Sequence, residues 1–176
     1  MYAYATPNSR YCEKFVIFCF ENHAKPRKSS NFIFGIYNLY NISSAQKKGD
    51  RTANEGLIAI TKNESNKEAA IIEVNSETDF VTKGSAFIDF VEALGSLALK
   101  NKPESVESFL SQKLDSGETV DEAREGIIAK IGENISVRRV QIISTDTGIL
   151  GAYKHGDRIA VLTVLASQDS ALAKDV

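Results

Sequence analysis

The stretch "EAAIIEVNSETDFVTK", residues 68–83, begins with a continuous apolar run and ends in a segment whose composition is unusual for a turn. Residues 68–75 have the length and composition of a buried strand. The run "GLIAITK" at residues 56–62 has the same β-type composition, and the polar sequence "NESN" at residues 63–66 lies between the two. Two such runs joined by a short polar loop predict an antiparallel hairpin.

The segment Thr78-Asp79-Phe80-Val81 follows the second strand, at a position where a turn is expected. Turns favour Gly, Asn, Asp, Ser and Pro, whereas this segment contains Phe80 and Val81. One interpretation places Phe80 in the core beneath the next helix, with Asp79 capping that helix. The other places the Phe80 ring at the surface, where a partner would bury it, because aromatic side chains dominate contact energetics. The local pattern alone favours the core interpretation.

Three helices are predicted after this segment. The first begins near Ser85, because apolar residues recur with helical spacing along one stripe: Phe87, Phe90, Val91, Leu94, Leu97 and Ala98. The second lies in residues 102–114 and has Pro103 in its first turn. In the third, within residues 117–132, Thr119 and Glu122 match a capping box and Gly132 is a C-terminal glycine.

Three further strands complete the predicted elements. Residues 134–145 predict one strand, and residues 148–167 predict two strands around the turn "KHGD". We therefore expect an α+β fold, an antiparallel sheet with helices packed on one face. Residues 1–44 show no sustained helical or strand period, and we interpret them as an atypical, poorly specified segment.

Two local features of these strands carry their own expectations. Arg138 and Arg139 are consecutive strand residues, so their side chains should point to opposite faces, with at least one exposed or ion-paired. The "KHGD" sequence predicts a two-residue hairpin turn with His155 and Gly156 at its centre.

The composition argues against several classes of function. The net charge is −2 overall, and it is +3 for residues 1–44 and −5 for residues 45–176, which argues against direct nucleic-acid binding. No apolar run approaches the roughly 20 residues that a membrane-spanning helix requires. Cys12 and Cys19 have no accompanying Cys–His cluster, so we expect no zinc site.

An enzyme is the hypothesis from a different functional class. Glu77 and Asp79 are two residues apart and, with His155, could serve as acid–base groups. The chain contains no phosphate-binding GxxxxGK[ST] loop, no GxGxxG and no HExxH motif. A carboxylate pair at a strand end is more often part of a solvated turn, so the sequence gives this hypothesis little support.

Four motifs, in order, resemble segments of one protein family. They are "AQKKGDRTANEGLI" at residues 45–58, "EVNSETDFVTK" at 73–83, "IIAKIGENISVRRV" at 127–140 and "GILGAYKHGDRIAVLTVL" at 148–165. On these motifs the chain resembles the elongation factor Ts family, the guanine-nucleotide exchange factors of bacterial-type elongation factor Tu. The resemblance covers residues 45–176, and Thr82, where the family usually has Ala or Ser, is a mild departure.

The resemblance implies a translation elongation factor that is not an enzyme and that binds no cofactor, metal, nucleic acid or membrane. Its partner would be elongation factor Tu, in GDP-bound and nucleotide-free forms. Thr78, Asp79, Phe80 and Val81 would disturb the Mg²⁺ and phosphate site of that partner, with the Phe80 ring entering between helices of its GTPase domain. The family also implies partner contacts at Ile131, Gly132 and His155. On this basis Phe80 is expected at the surface, and Val81 in the core.

The resemblance implies that the atypical segment 1–44 is followed by a core subdomain at 45–147 and the truncated start of a second subdomain at 148–176. It also has gaps. Residues 1–44 do not resemble the small helical domain with which the family begins, and the family core continues past residue 176. We therefore expect a fragment or an aberrant reading of the gene, with an open sheet edge at residues 158–166. The alternative is a truncated remnant that binds elongation factor Tu without efficient exchange. The expected location is the cytoplasm of a bacterial-type cell, or a mitochondrion or plastid for a eukaryotic gene.

Overall fold

The computed structural model describes residues 17–21 and 51–165 of the chain. The strands are β1 (Ile17–Glu21), β2 (Glu55–Lys62), β3 (Glu68–Ser76), β4 (Ser136–Ser144), β5 (Ile149–His155) and β6 (Ile159–Leu165). The helices are α1 (Asp79–Thr82), α2 (Ser85–Asn101), α3 (Val106–Leu110) and α4 (Val120–Ile131).

The first sheet has the strand order β2-β3-β4, and both strand pairs are antiparallel. The predicted hairpin of β2 and β3 is confirmed. In its loop, Asn63 Oδ1 accepts hydrogen bonds from the backbone N–H groups of Lys67 and Glu68, at 3.0 and 3.1 Å. Asn66 adopts a left-handed conformation with φ of 53°, which Asn tolerates better than most residues. The polar loop therefore closes the hairpin through its own side chains.

The central strand, β3, is buried on both faces, which explains its continuous apolar run. On one face, Ala70, Ile72 and Val74 pack against the helices. On the other face, Ala69 and Ile71 pack against Leu150, Ala160 and Leu162 of the second sheet. The α+β fold with helices on one face of an antiparallel sheet is confirmed, and a second sheet covers the opposite face.

The first and third predicted helices are confirmed. Helix α2 begins at Ser85, and all six residues of its predicted stripe are buried. In α4, Thr119 Oγ1 accepts from the Glu122 backbone N–H at 3.2 Å, and the Glu122 carboxylate accepts from the Thr119 N–H at 2.7 Å. Gly132 ends the helix with φ of 90°, a conformation that glycine adopts at little steric cost.

The second predicted helix is shorter than expected, and the assignment of Pro103 to its first turn is wrong. Helix α3 begins only at Val106, because Ser105 and Ser108 form a reciprocal capping box there. Pro103 is buried in the connection between α2 and α3. The Ser-x-x-Ser cap is a weaker sequence signal than a proline, and it determines where the helix starts.

The pairing of β3 with β4 contains a bulge, which overturns the expectation that Arg138 and Arg139 point to opposite faces. The expectation that at least one of them is exposed or ion-paired is confirmed. Glu73 pairs with Arg139 and Val74 with Val137, so Arg138 is the extra residue. The alternation of faces is lost there, and both arginines approach the fully buried carboxylate of Glu73. Arg138 Nη1 lies 3.7 Å from Glu73 Oε1, and Arg139 Nε donates to Glu73 Oε2.

The second sheet has the strand order β1-β6-β5, again with antiparallel pairs. The expected open edge at residues 158–166 is therefore wrong, because β6 is the central strand and pairs with β1. His155 is the last residue of β5 and pairs with Ile159, so the loop comprises residues 156–158 and His155 is not a central turn residue.

The loop of the second sheet is docked on the first sheet. The backbone N–H of Ile58 donates to the Asp157 carbonyl at 2.9 Å, and Arg158 forms an ion pair with Glu55. No helix in the described part of the chain is long and apolar enough to span a membrane. Apart from β1, the predicted segment 1–44 and the tail after residue 165 lie outside the described residues, and the domain boundaries stay predictions.

Candidate functional site

The side chain of Phe80 is at the surface. It is 81% exposed, whereas the next residue, Val81, is only 8% exposed and belongs to the core that α2 covers. Both residues lie in α1, a single helical turn of four residues. The interpretation of Phe80 as a core residue is wrong, and the predicted surface position is confirmed.

The turn α1 is joined to the C-terminal end of α4 by the carboxylate of Glu133. Glu133 Oε2 accepts from the backbone N–H of Thr78 at 2.9 Å, and Oε1 accepts from the Thr78 hydroxyl at 2.7 Å. Thr78 has extended backbone angles at the N-cap position of α1, yet its side chain makes no capping hydrogen bond to that helix. The Thr78 hydroxyl is therefore committed to a residue 55 positions away.

A second pair of residues, Glu77 and Asn134, links the same two segments with the donor and acceptor exchanged. Glu77 Oε1 accepts from the backbone N–H of Asn134 at 2.6 Å. Asn134 is buried, and its side-chain amide donates to the Arg51 carbonyl at 2.7 Å. The guanidinium of Arg51 lies 3.7 Å from the same Glu77 carboxylate. Residues 77–78 and 133–134 are thus cross-linked twice.

Asp79 is paired with Lys83 one turn further along the chain, at 2.9 Å between Oδ2 and Nζ. The hydrogen bond and the positive charge of Lys83 lower the pKa of the Asp79 carboxyl below its usual value. The same Lys83 Nζ lies 6.0 Å from the centre of the Phe80 ring, at the outer limit of a cation–π contact. Asp79 does not cap the next helix, because Gly84 is the N-cap residue of α2.

Ile131 and Gly132 lie at the end of α4, directly before the two residues that hold the Thr78 segment. Ile131 is half-buried against the helical core, and Gly132 turns the chain in the left-handed conformation. The structure therefore brings the predicted contacts Ile131 and Gly132 next to the segment that carries Phe80. Their contact with a partner stays a prediction.

His155 lies at the exposed end of β5, where its ring stacks on Tyr153 with 6.4 Å between the ring centres. The Tyr153 hydroxyl is 3.3 Å from His155 Nδ1. His155 and Asp79 both line an open groove, together with Lys83, Asp157 and Arg158. The structure therefore places His155 on the same side of the molecule as α1.

The three residues of the enzyme hypothesis do not form one site. Asp79 and His155 share the groove, but Glu77 does not line it and its carboxylate is bonded to the Asn134 backbone. Within residues 17–21 and 51–165, no group of three or more metal-ligating side chains is found.

Two residues of the site were missed in the sequence. Tyr153 is 59% exposed and, with Phe80, is one of the two large hydrophobic residues exposed within residues 51–165. Its spacing of two from His155 on a strand could have placed both rings on one face. Glu133 had no comparable signal, because its contact with Thr78 spans 55 residues.

Comparison with known proteins gives a consistent result. The family described as Elongation factor TS matches residues 77–176. "Elongation factor Ts" of Ruthia magnifica is 55% identical over 134 residues, which are 76% of this chain and 45% of that protein. The proteins of the same name from Legionella pneumophila (strain Paris) and Acholeplasma laidlawii are 44% and 50% identical, over 76% and 77% of this chain. The chain covers 46% of each of those two proteins.

This chain therefore spans less than half the length of these bacterial relatives. The matched region contains α1 with its exposed ring, the α4 end that is bonded to it, and the His155 hairpin. The family match covers more than half of the chain. The chain belongs to the elongation factor Ts family.

Proposed function

We propose that this chain acts in translation elongation as a guanine-nucleotide exchange factor that promotes release of GDP from elongation factor Tu. The observation that carries the proposal is the exposed Phe80 ring on a turn whose next two residues, Val81 and Thr82, are buried. A large ring in water costs free energy that a partner's core would recover. Its anchored neighbours hold the ring in place before the partner arrives.

The mechanism is displacement rather than bond making. The Phe80 ring would enter between helices of the GTPase domain and shift the peptide segments that hold Mg²⁺ and the phosphates of GDP. Mg²⁺ requires near-ideal octahedral geometry, so a small shift of its ligands weakens nucleotide binding strongly. Asp79, exposed beside the ring and negatively charged at neutral pH, would reach toward the same phosphate and Mg²⁺ region. No covalent bond forms or breaks in this chain.

Thermodynamic linkage requires that the factor and the nucleotide weaken each other's binding to the GTPase by the same factor. The chain would therefore bind nucleotide-free elongation factor Tu more tightly than the GDP complex. Ile131 and Gly132 beside α1, and His155 across the groove, would extend the contact from the tip at Phe80. The bacterial origin of the relatives supports a cytoplasmic, bacterial-type setting.

The experiment is a stopped-flow measurement of fluorescent GDP release from elongation factor Tu, with the full 176-residue chain added in excess. We expect faster release, saturating with the concentration of the chain. The Phe80→Ala variant is the matched control and should lose most of the acceleration. Release at the spontaneous rate from a folded wild-type chain would contradict the proposal.

A second candidate follows from the share of its relatives that the chain covers, which is 45% and 46% of the two proteins compared above. A chain of this span could bind elongation factor Tu without efficient exchange. Calorimetric binding to the nucleotide-free partner, combined with the release assay, distinguishes the two. Binding without faster GDP release supports a chain that binds without efficient exchange. Faster GDP release supports the exchange factor.

A further inference from the structure

We propose that Glu133 is a positioning residue that holds Thr78, and through it α1, so that Phe80 is presented to the partner in a fixed orientation. The proposal rests on the proposed function. The geometry behind it is the pair of hydrogen bonds from the Thr78 N–H and hydroxyl to the two oxygens of one carboxylate.

Thr78 does not cap the helix at whose N-terminus it lies. A threonine at an N-cap normally accepts a hydrogen bond from a backbone N–H of the first helical turn. Thr78 occupies the N-cap of α1, but its hydroxyl donates to Glu133 and leaves the helix without a side-chain cap. The hydroxyl therefore fixes the position of the turn on α4 instead of stabilising the turn itself.

Helix α1, with four residues, is too short to be stable without contacts to the rest of the molecule. Helix nucleation is unfavourable, and a single turn in water is not stable on its own. The local side-chain bonds of α1 are the Thr82 hydroxyl to the Asp79 carbonyl at 2.8 Å and the exposed Asp79–Lys83 pair, beside two backbone hydrogen bonds that the turn itself closes. Exposed ion pairs contribute little. The orientation of the turn must come from burial of Val81 and Thr82 and from the bonds of Glu133.

The hydrogen bonds of Glu133 hold the N-cap residue of α1, two residues before Phe80. The Glu77–Asn134 bond anchors the residue before Thr78, so the two cross-links fix both position and direction of the chain. Glu133 itself is half-buried and lies after the end of α4. Its side chain does not belong to either buried apolar cluster.

A fixed ring needs less ordering on binding than a mobile one, and preorganisation of this kind increases affinity by reducing that cost. Loss of the Glu133 carboxylate should thus weaken the effect of Phe80 without changing the ring. Two hydrogen bonds to a charged group are lost in Glu133→Ala, and we expect roughly a tenfold loss of exchange stimulation. Glu133→Gln should keep most of it, because the amide oxygen accepts from the Thr78 N–H while the amide nitrogen donates to the hydroxyl.

The experiment has two readouts on the full chain. The chain contains no tryptophan, so Phe80→Trp introduces a single tryptophan, which can be excited selectively over tyrosine, at the tip of the site. Time-resolved anisotropy measures its local motion in this variant alone and with Glu133→Ala, Glu133→Gln or Glu125→Ala added. Glu125, a half-buried carboxylate of α4 that makes no bond within the described residues, is the matched control. We expect larger local motion only with Glu133→Ala.

The second readout is a double-mutant cycle of Glu133→Ala and Phe80→Ala in the GDP release assay. If Glu133 acts through the ring, its replacement has no further effect once Phe80 is alanine. Additive losses, or anisotropy unchanged in a folded Glu133→Ala protein, overturn the positioning role. If Glu133→Ala fails to fold, Thr78→Val compared with Thr78→Ser replaces it in both assays. A wild-type chain that does not accelerate release defeats the proposed function, while the anisotropy still decides the role of Glu133.

Discussion

Phe80 and Val81 are adjacent in the chain, yet the Phe80 side chain is 81% exposed and that of Val81 is 8% exposed. Successive side chains of a helix point about 100° apart, so the single turn α1 directs the Phe80 side chain away from the core and the Val81 side chain into it. Val81 and the buried Thr82 anchor the turn from below. The exposed ring is therefore part of a supported structure rather than of a free loop.

Replacement of Phe80 should separate function from stability. We expect Phe80→Ala to lose most of the acceleration of GDP release while the free energy of unfolding changes by about 0.5 kcal/mol or less, as for other surface positions. Phe87→Ala is the matched control, because Phe87 is fully buried and its loss should cost about 3–5 kcal/mol. Chemical denaturation of both variants provides the comparison. A decrease in the free energy of unfolding of Phe80→Ala as large as that of Phe87→Ala would contradict the surface role of Phe80.

The contrast between these two phenylalanines shows what the sequence can predict. Phe87 belongs to a six-residue helical stripe, and periodicity identified it as core. Phe80 lies outside any period, so its exposure was expected from the family resemblance and not from the local pattern. The bulge at Arg138 and the Thr78–Glu133 contact depend on residues far apart in the chain, and no local signal encodes them. Local patterns thus predicted the elements, and long-range pairs determine the site.

The pKa of Asp79 provides a test of the charge arrangement beside the ring. Lys83 lowers this pKa by its hydrogen bond and its charge, so the folded protein holds the proton less tightly than the unfolded chain. The stabilisation is therefore fully present above the unfolded value and is lost as the pH falls through the folded pKa, a window below about pH 3.9. We expect Lys83→Met to raise the Asp79 pKa toward the ordinary value of an aspartate, about 3.9.

A pH titration of the Asp79 carboxyl carbon by NMR measures this shift directly. Lys100→Met is the control, since Lys100 pairs with Asp115 at 3.5 Å and not with Asp79. An Asp79 pKa that is the same in wild type and Lys83→Met would show that Lys83 is not its cause. Stability near neutral pH should not depend on this titration, because Asp79 is ionised in both states there.

The buried Glu73 carboxylate should be important for stability. It has no solvent exposure, and it balances Arg138 and Arg139 at the bulge of β4. Glu73→Gln keeps the shape, but its amide oxygen can take only one of the two carboxylate oxygen positions, and the negative charge beside both guanidinium groups is lost. Removal of one partner of a buried pair costs about 3–5 kcal/mol, and the partial exposure of the two arginines places our expectation near the lower limit.

Urea denaturation of Glu73→Gln against Glu64→Gln tests this expectation. Glu64 is an exposed carboxylate in the β2–β3 loop, and its replacement should change the free energy of unfolding by about 0.5 kcal/mol or less. Equal midpoints for the two variants would mean that the Glu73 pair adds nothing to stability. A loss confined to Glu73→Gln would assign the bulge a structural role next to the strand that leads into α1.

The close approach of α2 to β2 at Gly95 and Thr61 leads to a last prediction. A methyl group added at Gly95 would overlap the Oγ1 atom of Thr61, and both residues lie within packed elements. Overpacking of this kind costs about 1–3 kcal/mol, which exceeds the gain of up to about 1 kcal/mol that alanine brings to a helix. We therefore expect Gly95→Ala to be destabilising. Added to Thr61→Ala, which removes the overlapping atom, the same change should become stabilising.

Gly126→Ala in α4 is the matched control, because nothing lies within 4 Å of the position that its methyl group would take. It should be stabilising by up to about 1 kcal/mol, since it gains helix propensity without steric conflict. Thermal unfolding of the four proteins of the Gly95–Thr61 cycle, with this control, measures the coupling. Equal stabilisation by Gly95→Ala and Gly126→Ala would contradict this prediction, because it would mean that α2 can move away from β2 to admit the methyl group. The packing of α2 on β2, which supports α1, would then be less rigid than the structure indicates.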